Sequence, residues 1–407
     1  MAFRLPCSLL VLAVSMALPL AAQAAPRYSV NVVGVAGSTA VDINNYGQVI
    51  GNVLDSSGNP HAFVYSSGSL TNLGGFGGGI TSAYAINDSG VIVGYANNSA
   101  GFDRAFRYAG GSMADLGTLG GDRSAAYGIN AAGRIVGGAS TGTEGDDVLF
   151  HAFVYSGGVM TSIGTLPNGD SSSAHAINKA GVITGTSAIS TDDPPEHPYH
   201  AFIDHDGVFT DLGTLGGLYS SGEAINDNGW VAGQASTAVD YGIGHFVPHG
   251  YVYHDGAMVD LASFGNMFSA SDAQDVNNLN QVVGWAESLT DVRAFLFQAG
   301  TLTDLNALID PASGWTLQDA HAINDKQQIA ATGCRAGECY ALRLDLISAV
   351  PEPGTWALLL TGLALLGWTR LRQARTQRAR HGLQDAVGLA SGPAAVCGTN
   401  AMVPSVL

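Results

Sequence analysis

The sequence predicts an all-β fold built from seven copies of one four-stranded unit, and three observations carry that reading. A hydrophobic residue followed by Asn recurs as Ile43-Asn44, Ile86-Asn87, Ile129-Asn130, Ile177-Asn178, Ile225-Asn226, Val276-Asn277 and Ile323-Asn324, at spacings of 43, 43, 48, 48, 51 and 47 residues. One supersecondary unit therefore repeats along nearly the whole chain. Three residues after each Asn stands Gly47, Gly90, Gly133, Gly181, Gly229, Asn280 or Gln327. An Asn side chain bonds backbone two residues on, and Gly or Asn accepts the positive φ of a tight hairpin, so each mark reads as a turn. Four residues further on comes Gly51, Gly94, Gly137, Gly185, Gly233, Gly284 or Ala331, where a larger side chain is expected to obstruct a neighbouring strand.

The strands follow in order. The one ending in Ile-Asn is the first. Short β-branched runs such as Val91-Ile92-Val93, Arg134-Ile135-Val136 and Gln281-Val282-Val283 are too brief for helices and form the second. Phe63-Val64-Tyr65, Phe153-Val154-Tyr155 and Tyr251-Val252-Tyr253 form another, and Leu116 to Leu119 with Leu212 to Leu215 mark the last. Several runs are apolar on both faces, which stacked sheets tolerate and a half-solvated sheet does not. Seven such units of about 45 residues, from Tyr28 to about Leu346, point to a seven-bladed β-propeller over residues 25–348. A β-solenoid is the alternative, disfavoured because its coils usually take roughly 20 to 30 residues.

Both ends read as processing signals. Residues 1–24 have the form of a secretory leader: Arg4, an apolar core from Leu9 to Leu20, and the small-x-small site Ala22-Gln23-Ala24, which places the mature start at Ala25. Residues 350–380 contain Pro351-Glu352-Pro353, an apolar run, and Arg370, Arg372, Arg375, Arg378 and Arg380. The run from Thr355 to Thr369 spans ~22 Å as a helix against a ~30 Å hydrocarbon core, which suits a transient inner-membrane anchor better than a permanent one. Residues 381–407 form an unpatterned tail that follows the Arg cluster.

This ending resembles the PEP-CTERM sorting signal of Gram-negative bacteria. The resemblance implies recognition by exosortase, a membrane protease, and delivery to the cell surface or extracellular space, often where extracellular polysaccharide is made. The repeats themselves resemble the HAF family of bacterial extracellular repeats through His61-Ala62-Phe63, His151-Ala152-Phe153 and His200-Ala201-Phe202, with departures at Arg104-Ala105-Phe106, His249-Gly250-Tyr251, Arg293-Ala294-Phe295 and Tyr340-Ala341-Leu342. That family brings no catalytic residues to transfer.

Charge narrows the partners. Between Ala25 and Val350 there are 31 acidic and 10 basic side chains, a balance of −21, which repels phosphate backbones and excludes nucleic acid. Cys334 and Cys339 suit a disulfide across a hairpin, with half a zinc site as the alternative.

Three sets of residues are candidates for chemistry. The repeated polar position His61, Arg104, His151, His200, His249, Arg293 and Tyr340 either forms an anion-binding ring or, in the bland reading, serves each blade by donating to a backbone carbonyl or a turn Asn. The position before the Ile-Asn mark carries Tyr84, Tyr127, His175, Glu223, Gln274 and His321; such variation on a fixed scaffold suits a binding surface, and equally suits strand residues that fill space. Insertions in copies three to five form a candidate binding rim of Asp146, Asp147, Asp192, Asp193, Glu196, His197, Asp240 and His245. Clustered carboxylates there suit Ca²⁺ or a paired acid and base for glycan cleavage, although no EF-hand-like pattern is complete and Asp204-His205-Asp206-Gly207 is only a fragment of one. With no nucleophile elbow, P-loop or dinucleotide fingerprint, the expectation is a non-catalytic surface protein that binds or supports an extracellular polysaccharide layer. The alternative is a secreted carbohydrate-active hydrolase or lyase.

Overall fold

The computed structural model describes residues 27–142, 149–190, 198–240, 242, 246–267, 269–347, 362–375 and 377. The leader, Pro351-Glu352-Pro353 and the tail after 377 lie outside the described residues. The chain divides into two compact units, Met1–Ser348 and Ala349–Leu407.

The first unit is a seven-bladed propeller of four-stranded antiparallel sheets. In blade 1 the strands, from the channel outward, are Ser38–Ile43, Val49–Leu54, Pro60–Ser66 and Ser69–Asn72. Blades 2 to 6 repeat this order over residues 77–115, 124–164, 172–211, 216–260 and 271–304. Blade 7 combines Thr316–Ile323, Ile329–Arg335 and Glu338–Ile347 with the N-terminal strand Arg27–Ala36, which adds as its outermost member. Tyr28 pairs with Leu346 and Val32 with Leu342, so the two ends of the body zip together and the circle closes.

Packing explains the apolar runs. The cores lie between blades: Ile50, Ala62 and Leu73 of blade 1 pack against Ala83, Ile86, Ile92 and Phe106 of blade 2. The closing interface places Val33, Ala330 and Ala341 against Ala40, Val49 and Phe63. Burying each Phe of the third strands contributes about 1.5 to 3 kcal/mol, and Phe63, Phe106, Phe153, Phe202 and Phe295 are all fully buried.

One strand assignment is corrected. Leu116 to Leu119 and Leu212 to Leu215 do not form the fourth strand; it is the preceding Ser112–Asp115 and Val208–Asp211. Gly117 and Gly213 turn the chain at positive φ, and Leu116 and Leu212 drop into the core at the start of the crossing to the next blade. The Asp204-His205-Asp206-Gly207 fragment is a hairpin rather than a cation loop: His205 pairs with Val208, and Asp206 and Gly207 both take positive φ, as a two-residue hairpin turn demands.

Cys334 and Cys339 form a disulfide across the hairpin between the second and third strands of blade 7. In the second unit, residues 362–375 are helical, and Arg372 lies over the Trp368 ring at 4.2 Å. Among the described residues no helix is long and apolar enough to cross a membrane. The expected transmembrane segment is therefore not seen as such: 14 described residues reach only ~21 Å, and Arg370, Arg372 and Arg375 end the apolar stretch.

Candidate functional site

The innermost strands run in the same sense in every blade, so their turns define a lower face and their starts an upper one. On the lower face, each repeat Asn uses its Oδ1 to close its own turn: Asn130 Oδ1 accepts from Ala132 and Arg134 N–H groups at 3.1 and 3.0 Å. Its Nδ2 does something the motif did not announce. Asn44, Asn87, Asn130, Asn178, Asn226, Asn277 and Asn324 each donate to the backbone carbonyl of the Asn in the next blade, at 2.8 to 3.1 Å, and Asn324 returns to Asn44. The seven buried amides thus form a closed hydrogen-bonded circle. Below it lies a cavity of about 410 Å³. Its carboxylates are engaged: Asp88, Asp227 and Asp325 accept from the backbone N–H of Asn45, Lys179 and Asn278 respectively.

The repeated His/Arg position also belongs to the scaffold. Six of the seven serve their own blade, through a carboxylate rather than a carbonyl or a turn Asn, and His151 reaches the crossing to blade 4. Arg104 pairs with Asp115 at 3.0 Å, His200 with Asp211 at 2.8 Å, His249 with Asp260 at 2.9 Å and Arg293 with Asp304 at 3.1 Å, each 11 residues on in the outermost strand. His61 pairs with Asp55, His151 meets the Asp170 carbonyl and Ser162, and Tyr340 donates to Glu338.

The upper mouth is different. In all seven inner strands the pairing slips by one residue, leaving a β-bulge at Val41, Tyr84, Tyr127, His175, Glu223, Gln274 and His321. A bulged residue escapes the ladder and its side chain is re-aimed. Here that places Tyr84, Tyr127, His175, Glu223, Gln274 and His321 around one channel cavity of about 220 Å³. The position before the Ile-Asn mark, varied in sequence, is therefore the lining of a single site.

Its two halves differ in chemistry. Tyr95, Tyr84, Tyr127 and His175 form a continuous aromatic row, with ring centroids 6.0, 5.1 and 5.7 Å apart. His175 Nδ1 then meets Glu223 at 3.2 Å, and Ser221 donates to the same carboxylate. Burial pulls the imidazole down, but Glu223 beside it outweighs this and holds its pKa above the ordinary value. The reciprocal effect holds Glu223 well below the carboxylate range despite its own burial.

Beyond Glu223 stand Asp272 and Asp319, two residues before the bulge in blades 6 and 7 and not singled out from sequence. Burial, with Glu223 and Asp319 nearby, pushes Asp272 up to about 8. Burial likewise raises Asp319, whose Oδ2 lies 3.4 Å from His321 Nε2. Deeper in the channel, Asp42 bridges to blade 2 by accepting from Ile86 N–H at 2.7 Å, and Asp275 bridges to blade 7 through Ile323 N–H at 2.7 Å. Burial lifts these two to about 6 and about 7. Comparing the seven copies at this and the flanking positions would have exposed all four acids, since their counterparts are small or neutral.

The candidate rim of copies three to five is carried by the connections between second and third strands, anchored by the pairs Ser140 with Phe150, Ala188 with Tyr199 and Asp240 with Phe246. These anchors lie at the upper end of their blades. Asp146, Asp147, Asp192, Asp193, Glu196, His197 and His245 themselves fall outside the described residues, as does the side chain of Asp240. Among the described residues no group of three or more His, Cys, Asp or Glu side chains is placed to hold a metal ion.

Fold and site together define a closed propeller whose symmetric positions are structural and whose upper mouth is asymmetric. Residues 349–373 are a PEP-CTERM protein-sorting motif, which implies recognition by exosortase, export and transient membrane anchoring. Residues 171–345, from blade 4 to the last strand, match the family described as protein of unknown function DUF3466. No curated protein is matched. Similar solved structures include the β-propeller domain of the Trilobed protease from Pyrococcus furiosus, 8% identical over 78% of this chain and 97% of that one, TM-score 0.44. A puromycin-hydrolyzing peptidase from Mycobacterium tuberculosis is 11% identical over 80% of this chain and 54% of that one, TM-score 0.48. The Aleuria aurantia lectin is 12% identical over 68% and 98%, TM-score 0.34. At such values the likenesses carry no functional argument.

Proposed function

We propose that this is an exosortase-sorted protein of the cell surface or extracellular matrix, exported by the leader at residues 1–24, whose propeller binds an extracellular polysaccharide at the upper channel mouth without cleaving it. The observation that carries the reading is the bulge circle. Scaffold positions repeat in kind from blade to blade, whereas the seven bulged residues run from Val41 through two tyrosines, His175, Glu223 and Gln274 to His321. Aromatic faces beside hydrogen-bonding groups suit sugar rings. The HAF-type reading of the repeats and the Ca²⁺ expectation at the rim loops belong to the same proposal. The full-length mature chain should bind glycans on an array, and the exopolymer of its own host; a blank result on both removes the proposal.

One observation favours a second reading, a hydrolase or lyase. Glu223 and Asp272 are close enough to interact, yet one is held ionised and the other protonated at neutral pH, the division of labour that acid and base catalysis uses. Cleavage of the bound polymer that disappears in both Glu223→Gln and Asp272→Asn would establish it, and intact polymer after prolonged incubation excludes it.

A further inference from the structure

Beside the upper mouth, between blades 6 and 7 and reaching blade 1, lies a second cavity of about 490 Å³, walled by Thr39, Trp285, Glu287, Gln318, Asp319 and His321 among others. His321 also lines the channel cavity, so the two spaces share a wall. The lining offers an indole, two carboxylates and no Lys or Arg.

Within it the accounting of hydrogen bonds is incomplete. Asp319 Oδ2 receives Gln274 Nε2 and faces His321, but Asp319 Oδ1 is buried and, among the described residues, makes no well-formed hydrogen bond, the Ala320 backbone N–H lying beside the carboxylate. The same is true of Oδ1 of the neighbouring Asp272, which lies opposite Trp285 across the two inner strands of blade 6. An Asp319 carboxylate so short of donors leaves uncompensated negative potential at a cavity wall that it shares with Glu287. The lower cavity makes no such demand, because its acids are already satisfied by backbone N–H groups.

An ammonium group brings three donors and a positive charge, whereas a sugar hydroxyl brings one donor and an acid sugar brings more acceptors. An indole face is also the strongest aromatic partner for a cation. The excess of 31 acids over 10 bases in the body acts in the same direction, drawing in cations and repelling uronic acids.

We propose that the cavity beside Trp285 and Asp319 holds an amine-bearing sugar unit of a partly de-N-acetylated polysaccharide. This deepens the polysaccharide reading above and rests on it. The ammonium sits against Asp319, with Glu223 adding to the negative field, and the sugar lies along Trp285.

Calorimetric titration of the full-length mature chain with a β-1,4-linked glucosamine tetramer, its fully N-acetylated counterpart and a tetragalacturonate tests it. The glucosamine tetramer should bind at least about tenfold tighter than either of the others, and less tightly as salt rises. Asp319→Asn should erase that preference, and Trp285→Ala should weaken the amine ligand by about tenfold. Equal or tighter binding of the acetylated or acidic oligomer by the unaltered protein overturns the proposal, whatever the variants do. Absence of binding to all three overturns it as well; retained binding of the host exopolymer then shows that only this site is lost, while its loss too removes the polysaccharide reading.

Discussion

Gly137 stands opposite the bulge of blade 3, where a methyl group would lie 2.0 Å from the Ala125 carbonyl oxygen and 2.8 Å from the Phe153 ring. The same collision with an inner-strand carbonyl recurs at Gly51, Gly94, Gly185, Gly233 and Gly284, at 1.9 to 2.3 Å. Glycine is thus the residue that lets the bulge exist. Where copy seven carries Ala331, its partner is Leu342 rather than an aromatic ring, so one side chain shrinks as the other grows. Gly137→Ala should destabilise the fold by about 2 to 3 kcal/mol in denaturant titration, as overpacking of a backbone contact does. Gln327 presents the opposite case: it holds φ 62° at a turn that five copies give to glycine. Gln327→Gly should stabilise by roughly 1 kcal/mol, the cost of left-handed backbone in a non-glycine residue, less its side-chain bond from Gln281. At this scale the turn glycines and the obstructed glycines were legible in the sequence, because their cause is local. The bulge was not, since a register slip lies in the pairing of two strands and leaves only the obstructed glycine as its trace.

Among elements, the tie between blades depends on one side chain doing two jobs. Asn130 closes its own turn and reaches the Asn178 carbonyl, so Asn130→Ala strands two N–H groups and takes from the Asn178 carbonyl one of its two donors, the other being Gly181 N–H. A loss of roughly 3 kcal/mol is expected by thermal or denaturant unfolding, against ~1 kcal/mol if only a solvent-exposed turn were affected. A second set of ties comes from Ser124, Ser172, Ser220, Ser271 and Ser38, whose hydroxyls accept from Ala105, Ala152, Ala201, Gly250 and Ala341 of the preceding blade. The Ile-Asn mark was readable as a turn because that half of its chemistry is within four residues. Its other half spans 43 to 51 residues between consecutive blades, and nothing in spacing alone distinguishes a bond to the next blade from one to water.

For the whole molecule, the channel acids set the response to pH. Asp42, Asp275 and Asp272 have folded pKa values raised from 3.8 to about 6, about 7 and about 8. Between 3.8 and those values the folded protein keeps protons that the unfolded chain has released. Their contribution to stability is therefore complete below about pH 4 and is lost as pH rises to 8, at about 1.4 kcal/mol per pH unit for each proton. Carboxylates held low, Asp55 at about 2 and Glu223 in its pair with His175, act oppositely and lose stability only as pH falls below about 4. Tm should therefore peak near pH 4 to 5 and decline towards pH 8. Asp275→Asn should lower Tm at pH 4, since an amide keeps only one of the two backbone bonds, yet flatten the decline above it.

The ring of seven wedges was legible because each wedge repeats its own local signals. Closure by Arg27–Ala36 was not, since no motif marks a strand that pairs with one 311 residues away in sequence, from Arg27 to Glu338. The site was half legible: variation at Tyr84, Tyr127, His175, Glu223, Gln274 and His321 stood out, while Asp272 and Asp319, odd among their copies, and Trp285 showed no shared place until the bulges brought three blades to one mouth.

The proposed ligand engages the upper mouth, while the lower Asn circle is scaffold. Hydroxyl-radical footprinting of the full-length mature chain, with and without its host's exopolymer, reads this at the side chains concerned. Tyr84, Tyr127 and Trp285 are expected to lose most of their oxidation when polymer is bound, while Tyr46, 73% exposed at the lower turn of blade 1, keeps its own. Protection of Tyr46 with Tyr84, Tyr127 and Trp285 unchanged would contradict it.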